Sequence, residues 1–175
     1  MLFRSILRDA DVREVCPASS EDSLLQKDAK LANKAAEFLV HGNPDAVFVY
    51  FGQVDEIGHK DGFHPSVRSY LHALQTVDDH IASLIQSIKS RPEYLEENWL
   101  VIISTDHGGR GRKHRGGHDV PEILTTFLVV SGVRSEKGLI DEPSYIVDVP
   151  VTALTHLGVS VDSAWQLDGK AVGIK

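Results

Sequence analysis

The feature that most constrains the fold is an alternation of long amphipathic segments with short runs that are apolar on both faces. Residues 21–41 and 64–90 place apolar side chains three and four positions apart, which predicts an amphipathic helix in each. Residues 46–51, 99–104 and 126–130 are rich in β-branched or aromatic side chains, as in strands buried within a parallel sheet. This order predicts an α/β fold with a largely parallel sheet flanked by helices.

Length and one further helical signal complete the predicted outline. Residues 146–157 predict a short helix that begins near Asp148 or Pro150. The length of 175 residues suits one domain, so we expect residues 1–175 to form a single domain.

Composition excludes several classes of protein. Hydrophobic residues make up 42% of the chain and charged residues 25%, so neither a disordered chain nor a coiled coil is expected. The formal net charge of −7 argues against nucleic-acid binding. No apolar run approaches the roughly 20 residues of a membrane span. The N-terminus lacks the apolar core of a signal peptide, which leaves the cytoplasm as the default expectation. The single Cys16 excludes an intrachain disulfide.

Potential metal ligands follow two of the predicted strands. They combine carboxylates with imidazoles: Asp55, His59, Asp106, His107, His114 and His118. Each alone is equally typical of a solvated loop or a turn held by an Asp side chain. Ligands in open α/β sheets bind beyond the carboxyl ends of strands, and carboxylate with imidazole suits zinc. The joint occurrence at two strand ends therefore predicts a metal site.

Two other groups lie near these residues in the sequence. Arg110, Arg112, Lys113 and Arg115 place positive charge in an otherwise acidic chain. They form either a solvated loop or a patch that steers an anionic substrate toward the metal site. His64 either initiates the second long helix or contacts the metal or the substrate.

The motifs resemble a known family. VDEIGH, a long helix containing VDDHI, and then STDHGG resemble the alkaline phosphatase superfamily, most closely its type I phosphodiesterase/nucleotide pyrophosphatase branch. Cofactor-independent phosphoglycerate mutases and sulfatases are relatives in that superfamily. PEILTTFLVVSG, IVDVPVTALTHLGV and WQLDGKAVG continue the resemblance, which runs from about residue 25 to the end.

This resemblance implies two metal ions, usually zinc, with manganese in some relatives. It assigns Asp55, His59 and His114 to one ion, and Asp106 and His107 to the other. His118 is the rival to His114, because the stretch before the following Glu is longer than in the family. The implied reaction is hydrolysis of a phosphorylated small molecule by a two-metal route with a covalent phospho-enzyme.

The family also has an upstream strand with a further Asp ligand, followed by a Thr or Ser nucleophile. No segment before residue 45 resembles it, so no nucleophile is identified. Ser19 and Ser20 are explained as helix caps, Cys16 as an incidental thiol, and Thr105 by packing at a strand end. We therefore expect the C-terminal part of an alkaline-phosphatase-like domain without its N-terminal strands. An exposed sheet edge then predicts self-association or pairing with the missing part.

Three readings of function follow from the resemblance. The first is a phosphoester hydrolase of the phosphodiesterase or phosphatase type. The alternatives are a truncated, non-catalytic metal-binding or interaction module, and a phosphomutase relative. Sulfatase activity is least favoured, because those sites hold calcium with mostly oxygen ligands whereas this set is rich in histidine.

Overall fold

A computed structural model describes residues 10–15, 23–117 and 119–175. It contains both helices and strands, so the fold is of mixed α and β type. In chain order the elements are α1 (Leu24–His41), α2 (Gln53–Asp61), α3 (Arg68–Lys89), β1 (Leu100–Ser104), α4 (Pro121–Leu124), β2 (Leu128–Gly132), α5 (Asp148–His156) and a 3₁₀ helix (Ser163–Trp165). The predictions for Cys16, Ser19, Ser20 and His118 lie outside the described residues.

The described residues form two compact units. The first comprises the described residues up to Glu56 together with His72–Arg91, and the second comprises Ile57–Leu71 together with the described part of Pro92–Lys175. The first unit contains α1, and the second contains the β-sheet and α5.

Helix α1 confirms the first predicted helix and begins at a capping box. The Ser23 hydroxyl accepts the backbone N–H of Gln26 at 3.4 Å, and the Gln26 side chain accepts the backbone N–H of Ser23 at 2.9 Å. These bonds satisfy amide groups that lack partners within the helix. The cap among the described residues is therefore Ser23, whereas the sequence indicated residues before Glu21.

The core of the first unit lies along α1 and the part of α3 that belongs to it. Ala32 and Leu39 of α1 are buried, as are Ala73, Leu84 and Ile88 of α3. Ala32, Leu39, Leu84 and Ile88 belong to the predicted apolar spacing, whereas Ala73 lies outside it. Burial of this apolar surface stabilises both helices.

The two strands pair in the antiparallel direction. Leu100 lies opposite Gly132, and Ser104 lies opposite Leu128. The sequence correctly predicted strands near both positions, but it predicted a largely parallel sheet, and no parallel pair occurs among the described residues. Residues 46–51 also form no strand there. A strand requires a neighbour for its backbone hydrogen bonds, and no described segment pairs with this run.

The polar segment after residues 46–51 forms α2, where the sequence suggested a loop. The segment is short, contains Gly58 in its interior and follows Gly52, which offers no capping side chain. Local propensity therefore gives little indication of a helix. By contrast, α5 confirms the predicted helix at Asp148, and Gly158 follows it at φ 75°, a conformation that ends helices.

The sequence contains no apolar run long enough to predict a membrane span. In the part of the chain that the structure describes, every helix is too short or too polar to cross a bilayer.

Candidate metal centre and adjoining cavity

The end of β1 fixes the loop that carries Asp106 and His107. The Ser104 hydroxyl donates to the Phe127 carbonyl oxygen at 3.0 Å, which ties the end of β1 to the start of β2. The backbone N–H of Gly108 donates to the Ile123 carbonyl oxygen of α4 at 2.8 Å. A Cβ at position 108 would overlap the Glu122 carbonyl, so only glycine permits this approach.

Three of the predicted ligands come together in the second unit, and we call His59, His107 and His114 the histidine cluster. The rings of His59 and His114 lie 4.7 Å apart between centroids, and those of His107 and His114 stack at 4.0 Å. Ligand atoms of His107 and His114 lie within 4.8 Å of each other. All three side chains are half-buried. The structure therefore brings together imidazoles from α2, the β1 loop and the glycine-rich loop.

Backbone carbonyls fix the tautomer of two of these rings. Nδ1 of His59 lies 2.9 Å from the Arg112 carbonyl oxygen, and Nδ1 of His107 lies 2.8 Å from the Gly108 carbonyl oxygen. A carbonyl oxygen only accepts hydrogen bonds, so each Nδ1 carries the proton and donates. In the neutral ring, Nε2 then has the lone pair. Histidine that ligates a metal usually has this arrangement, with its other nitrogen held by a carbonyl or carboxylate.

The two predicted carboxylate ligands lie on different elements. Asp106 is exposed, and its Oδ1 lies 3.8 Å from Nε2 of His107. Asp55 is half-buried on α2, one helical turn before His59. Residues four apart in a helix share a face, so Asp55 and His59 project from the same side of α2.

Phe63 packs against the histidine cluster, although no role was predicted for it from the sequence. Its ring contacts His59 edge-on at 5.3 Å and His114 at 6.4 Å between centroids. A Cβ at Gly58 or at Gly109 would overlap the same ring. The glycine in the middle of α2 and the second glycine of DHGG thus make room for an aromatic side chain under the imidazoles. Gly58 and Gly109 were the sequence features that could have indicated this close packing.

The remaining predicted site residues have local contacts. Nδ1 of His64 lies 2.7 Å from the Ser66 hydroxyl and accepts the Ser66 N–H, in the turn before α3. Nε of Arg110 lies 4.0 Å from Glu122 Oε1, with both side chains exposed. Arg112 and Lys113 are also exposed. These contacts leave both sequence interpretations of the basic loop and of His64 open.

A cavity of about 490 Å³ adjoins the histidine cluster within the second unit. Asp106, His107 and His114 line it, together with the end of α4 and residues 144–146. Among the described residues that line it, the acidic and basic side chains are those of Asp106, His107 and His114. The wall combines aliphatic and hydroxyl side chains with the ring of Tyr145.

A buried carboxylate holds this wall, and we call Asp148 with its partners the Asp148 anchor. Asp148 is 2% exposed, and its two oxygens accept the N–H of Tyr145 at 2.7 Å and of Lys170 at 2.9 Å. A Cβ at Gly169 would overlap the Val147 carbonyl, so glycine lets the last segment approach α5. The Lys170 ammonium is paired with Glu142, and this bond raises the pKa of Lys170 and lowers the pKa of Glu142.

Comparison with known proteins identifies the family. Residues 9–126 match the family described as type I phosphodiesterase / nucleotide pyrophosphatase. The chain belongs to this family. The matched range includes every ligand predicted from the sequence, so the resemblance inferred from DEIGH and TDHGG is confirmed. The family consists of proteins that act on phosphoesters.

One curated relative is a GPI ethanolamine phosphate transferase 3 from Schizosaccharomyces pombe (strain 972 / ATCC 24843). It is 23% identical over 133 residues, which cover 73% of this chain and 13% of the relative. The chain thus spans a small part of that protein's length. No solved structure matches the chain.

The residues present fit a divalent transition metal. Imidazole rings from three segments lie close to His114, two of them with Nε2 as the lone-pair nitrogen, and a carboxylate oxygen lies beside one. Nitrogen and carboxylate donors together suit zinc or manganese better than calcium or magnesium, which prefer oxygen ligands throughout.

Proposed function

We propose that residues 1–175 form a single domain and that this domain is the metal-binding, C-terminal part of a two-metal phosphoester hydrolase. The observation that carries the proposal is the histidine cluster, in which backbone carbonyls orient His59 and His107 through Nδ1. Membership of a phosphoester-acting family supports it.

The ligand sets follow the family pattern. Asp55, His59 and His114 hold one ion, and Asp106 with His107 holds the second. The shared helix face of Asp55 and His59 supports the first set. The 3.8 Å separation of Asp106 Oδ1 and His107 Nε2 supports the second. Zinc is the proposed metal, with manganese as the alternative.

When bound, two such ions neutralise charge on a phosphoryl group and favour attack by an oxygen nucleophile. The chain's own residues bind and orient. Arg112 and Lys113 attract the anionic ester toward the cluster through the field of the basic loop. The cavity beside His114 accepts the organic group of the ester against Ile123 and Tyr145. No residue of this chain is assigned as the nucleophile.

The curated relative favours a second candidate, which is transfer of the phosphoryl-bearing group to an acceptor other than water. That relative is named as an ethanolamine phosphate transferase. A phosphomutase would likewise return the phosphoryl group to an organic hydroxyl. Product analysis with added alcohols separates these reactions, because a hydrolase releases the acid whereas a transferase yields a new ester.

Zinc titration by calorimetry tests the proposal. We expect wild type to bind zinc at micromolar or lower concentration, and His59→Ala and His114→Ala to weaken binding by at least about tenfold, because each removes a ligand. His72→Ala is the matched control, because His72 is exposed on α3. If neither wild type nor the variants bind zinc, the proposed metal site is wrong. Turnover of a phosphoester that Asp106→Ala abolishes would exclude the non-catalytic alternative.

A further inference from the structure

Helix α2 begins without a cap from its own sequence. It follows Gly52, which has no side chain, and its first residue is Gln53. The first amide groups of any helix lack partners within the helix and need acceptors from elsewhere. Asp55 and His59 both lie on α2, so the start of this helix affects the residues proposed to hold the first ion.

A carboxylate from α1 supplies the acceptor. Asp28 Oδ2 accepts the backbone N–H of Gln53 at 2.9 Å, and the carboxylate also accepts the N–H of Gly52. Asp28 is 5% exposed and Gln53 is fully buried. The Gln53 amide donates to the Ala73 carbonyl oxygen of α3 at 3.4 Å. The first residue of α2 is thus held within the first unit by both α1 and α3.

Retaining a buried carboxylate has an energetic cost. Burial raises the pKa of Asp28 above its ordinary value of 3.8, against the opposing effects of the two backbone hydrogen bonds and of His80. An apolar side chain at this position would avoid that cost. Negative charge at the N-terminus of a helix is favourable, because the helix dipole is positive there.

We propose that Asp28 is a positioning residue, which caps α2 from another helix and thereby sets the direction in which the first turn of α2 presents Asp55. This inference rests on the proposed function only where it predicts a change in zinc affinity. Asp28 touches neither ion nor substrate and acts through the N-terminus of α2. Sequence distance concealed it, because it lies 25 positions from its partner.

The test compares Asp28→Ala with a control on the same helix. Leu39→Ala removes a side chain that is 3% exposed, so it destabilises the same core at a position about three helical turns from Asp28. Amide hydrogen exchange is measured at the first turn of α2, and zinc affinity is measured by calorimetry on samples whose circular dichroism shows native helix content. Asp28→Asn keeps one acceptor oxygen and serves as the conservative variant.

We expect Asp28→Ala to speed exchange at Gly52 and Gln53 by about tenfold or more, and to weaken zinc binding by a similar factor. Asp28→Asn should recover part of both, and Leu39→Ala should change zinc affinity by less than about threefold. Unchanged exchange in Asp28→Ala, or an equal loss of zinc affinity in Leu39→Ala, would overturn the inference. Absence of zinc binding in wild type would instead refute the proposed function, and exchange alone would then decide whether Asp28 caps α2.

Discussion

The Asp148 anchor and the histidine cluster lie in the same unit and use their polar groups in opposite ways. Asp148 is 2% exposed, and backbone N–H groups of its own chain satisfy both of its oxygens. Asp106 is exposed beside the cluster, where His107 and His114 stack on each other. The difference separates a structural carboxylate, Asp148, from the carboxylate that we propose as a ligand, Asp106. A saturated, buried carboxylate stabilises the fold, whereas an exposed one beside oriented imidazoles is available to a cation.

Exchanging the two aspartates for alanine tests this difference most strongly. Asp148→Ala should lower the free energy of unfolding by about 2 kcal/mol, because it removes a buried carboxylate and leaves two partly buried N–H groups without acceptors. Asp106→Ala should change it by no more than about 0.5 kcal/mol. Zinc affinity should respond in the reverse order, with a loss of at least about tenfold for Asp106→Ala. Urea unfolding and calorimetry measure the two quantities. Equal destabilisation by both variants would remove the distinction.

The support beneath the cluster gives a smaller effect. Gly109→Ala should lower the free energy of unfolding by about 2 kcal/mol and weaken zinc binding, because the new methyl overlaps the Phe63 ring. Adding Phe63→Leu should recover part of both losses by freeing that volume. The double variant is the control, and thermal unfolding with zinc titration provides the measurement. No recovery would show that Phe63 is not the group that requires glycine here.

The other buried carboxylate, Asp28, predicts a pH dependence. Its pKa is raised by burial, so the folded state binds this proton more tightly than the unfolded state does. The contribution to stability is therefore present below the ordinary value of 3.8 and is lost as pH rises through the folded pKa. Stability of wild type relative to Asp28→Asn should decline as pH is raised from 4 toward 7, measured by urea unfolding. An increase in this relative stability as pH is raised would contradict the predicted direction.

The basic loop gives the smallest expected change in stability. Arg112→Glu should alter the free energy of unfolding by no more than about 0.5 kcal/mol, because the side chain is exposed. It should slow association of phosphate with the zinc-loaded chain several-fold at low salt and leave it almost unchanged at high salt. Stopped-flow measurements at two salt concentrations check this. If Arg112→Glu slows phosphate association equally at both salt concentrations, electrostatic steering is excluded.

Sequence patterns predicted the parts of the fold that depend on local periodicity. The apolar spacing in α1 and α3, the run ending at Ser104 and the helix at Asp148 all correspond to observed elements. Strand direction was not predictable in this way, because pairing depends on segments distant in the chain. Helix α2 was missed since its cap comes from Asp28 on another helix.

Residue type and spacing also indicated three histidines that the structure brings together, His59, His107 and His114. The groups that orient them were not predictable. Phe63 is an ordinary aromatic residue in sequence, and the carbonyls of Gly108 and Arg112 carry no side-chain signal at all. Contacts that orient a ligand side chain arise from tertiary packing. Their trace in the sequence is at most a glycine that makes room for the contact.

The central claim is that His59 and His107 of the histidine cluster present Nε2 to a cation while Nδ1 of each donates to a backbone carbonyl. Nitrogen-15 NMR of histidine-labelled protein during zinc addition tests this directly. We predict that His59 and His107 adopt the Nδ1–H tautomer before zinc is added, and that their Nε2 resonances shift when it binds, with no such shift at His72. Protons found on Nε2 of both rings, or zinc-induced shifts confined to histidines outside the cluster, would contradict the account.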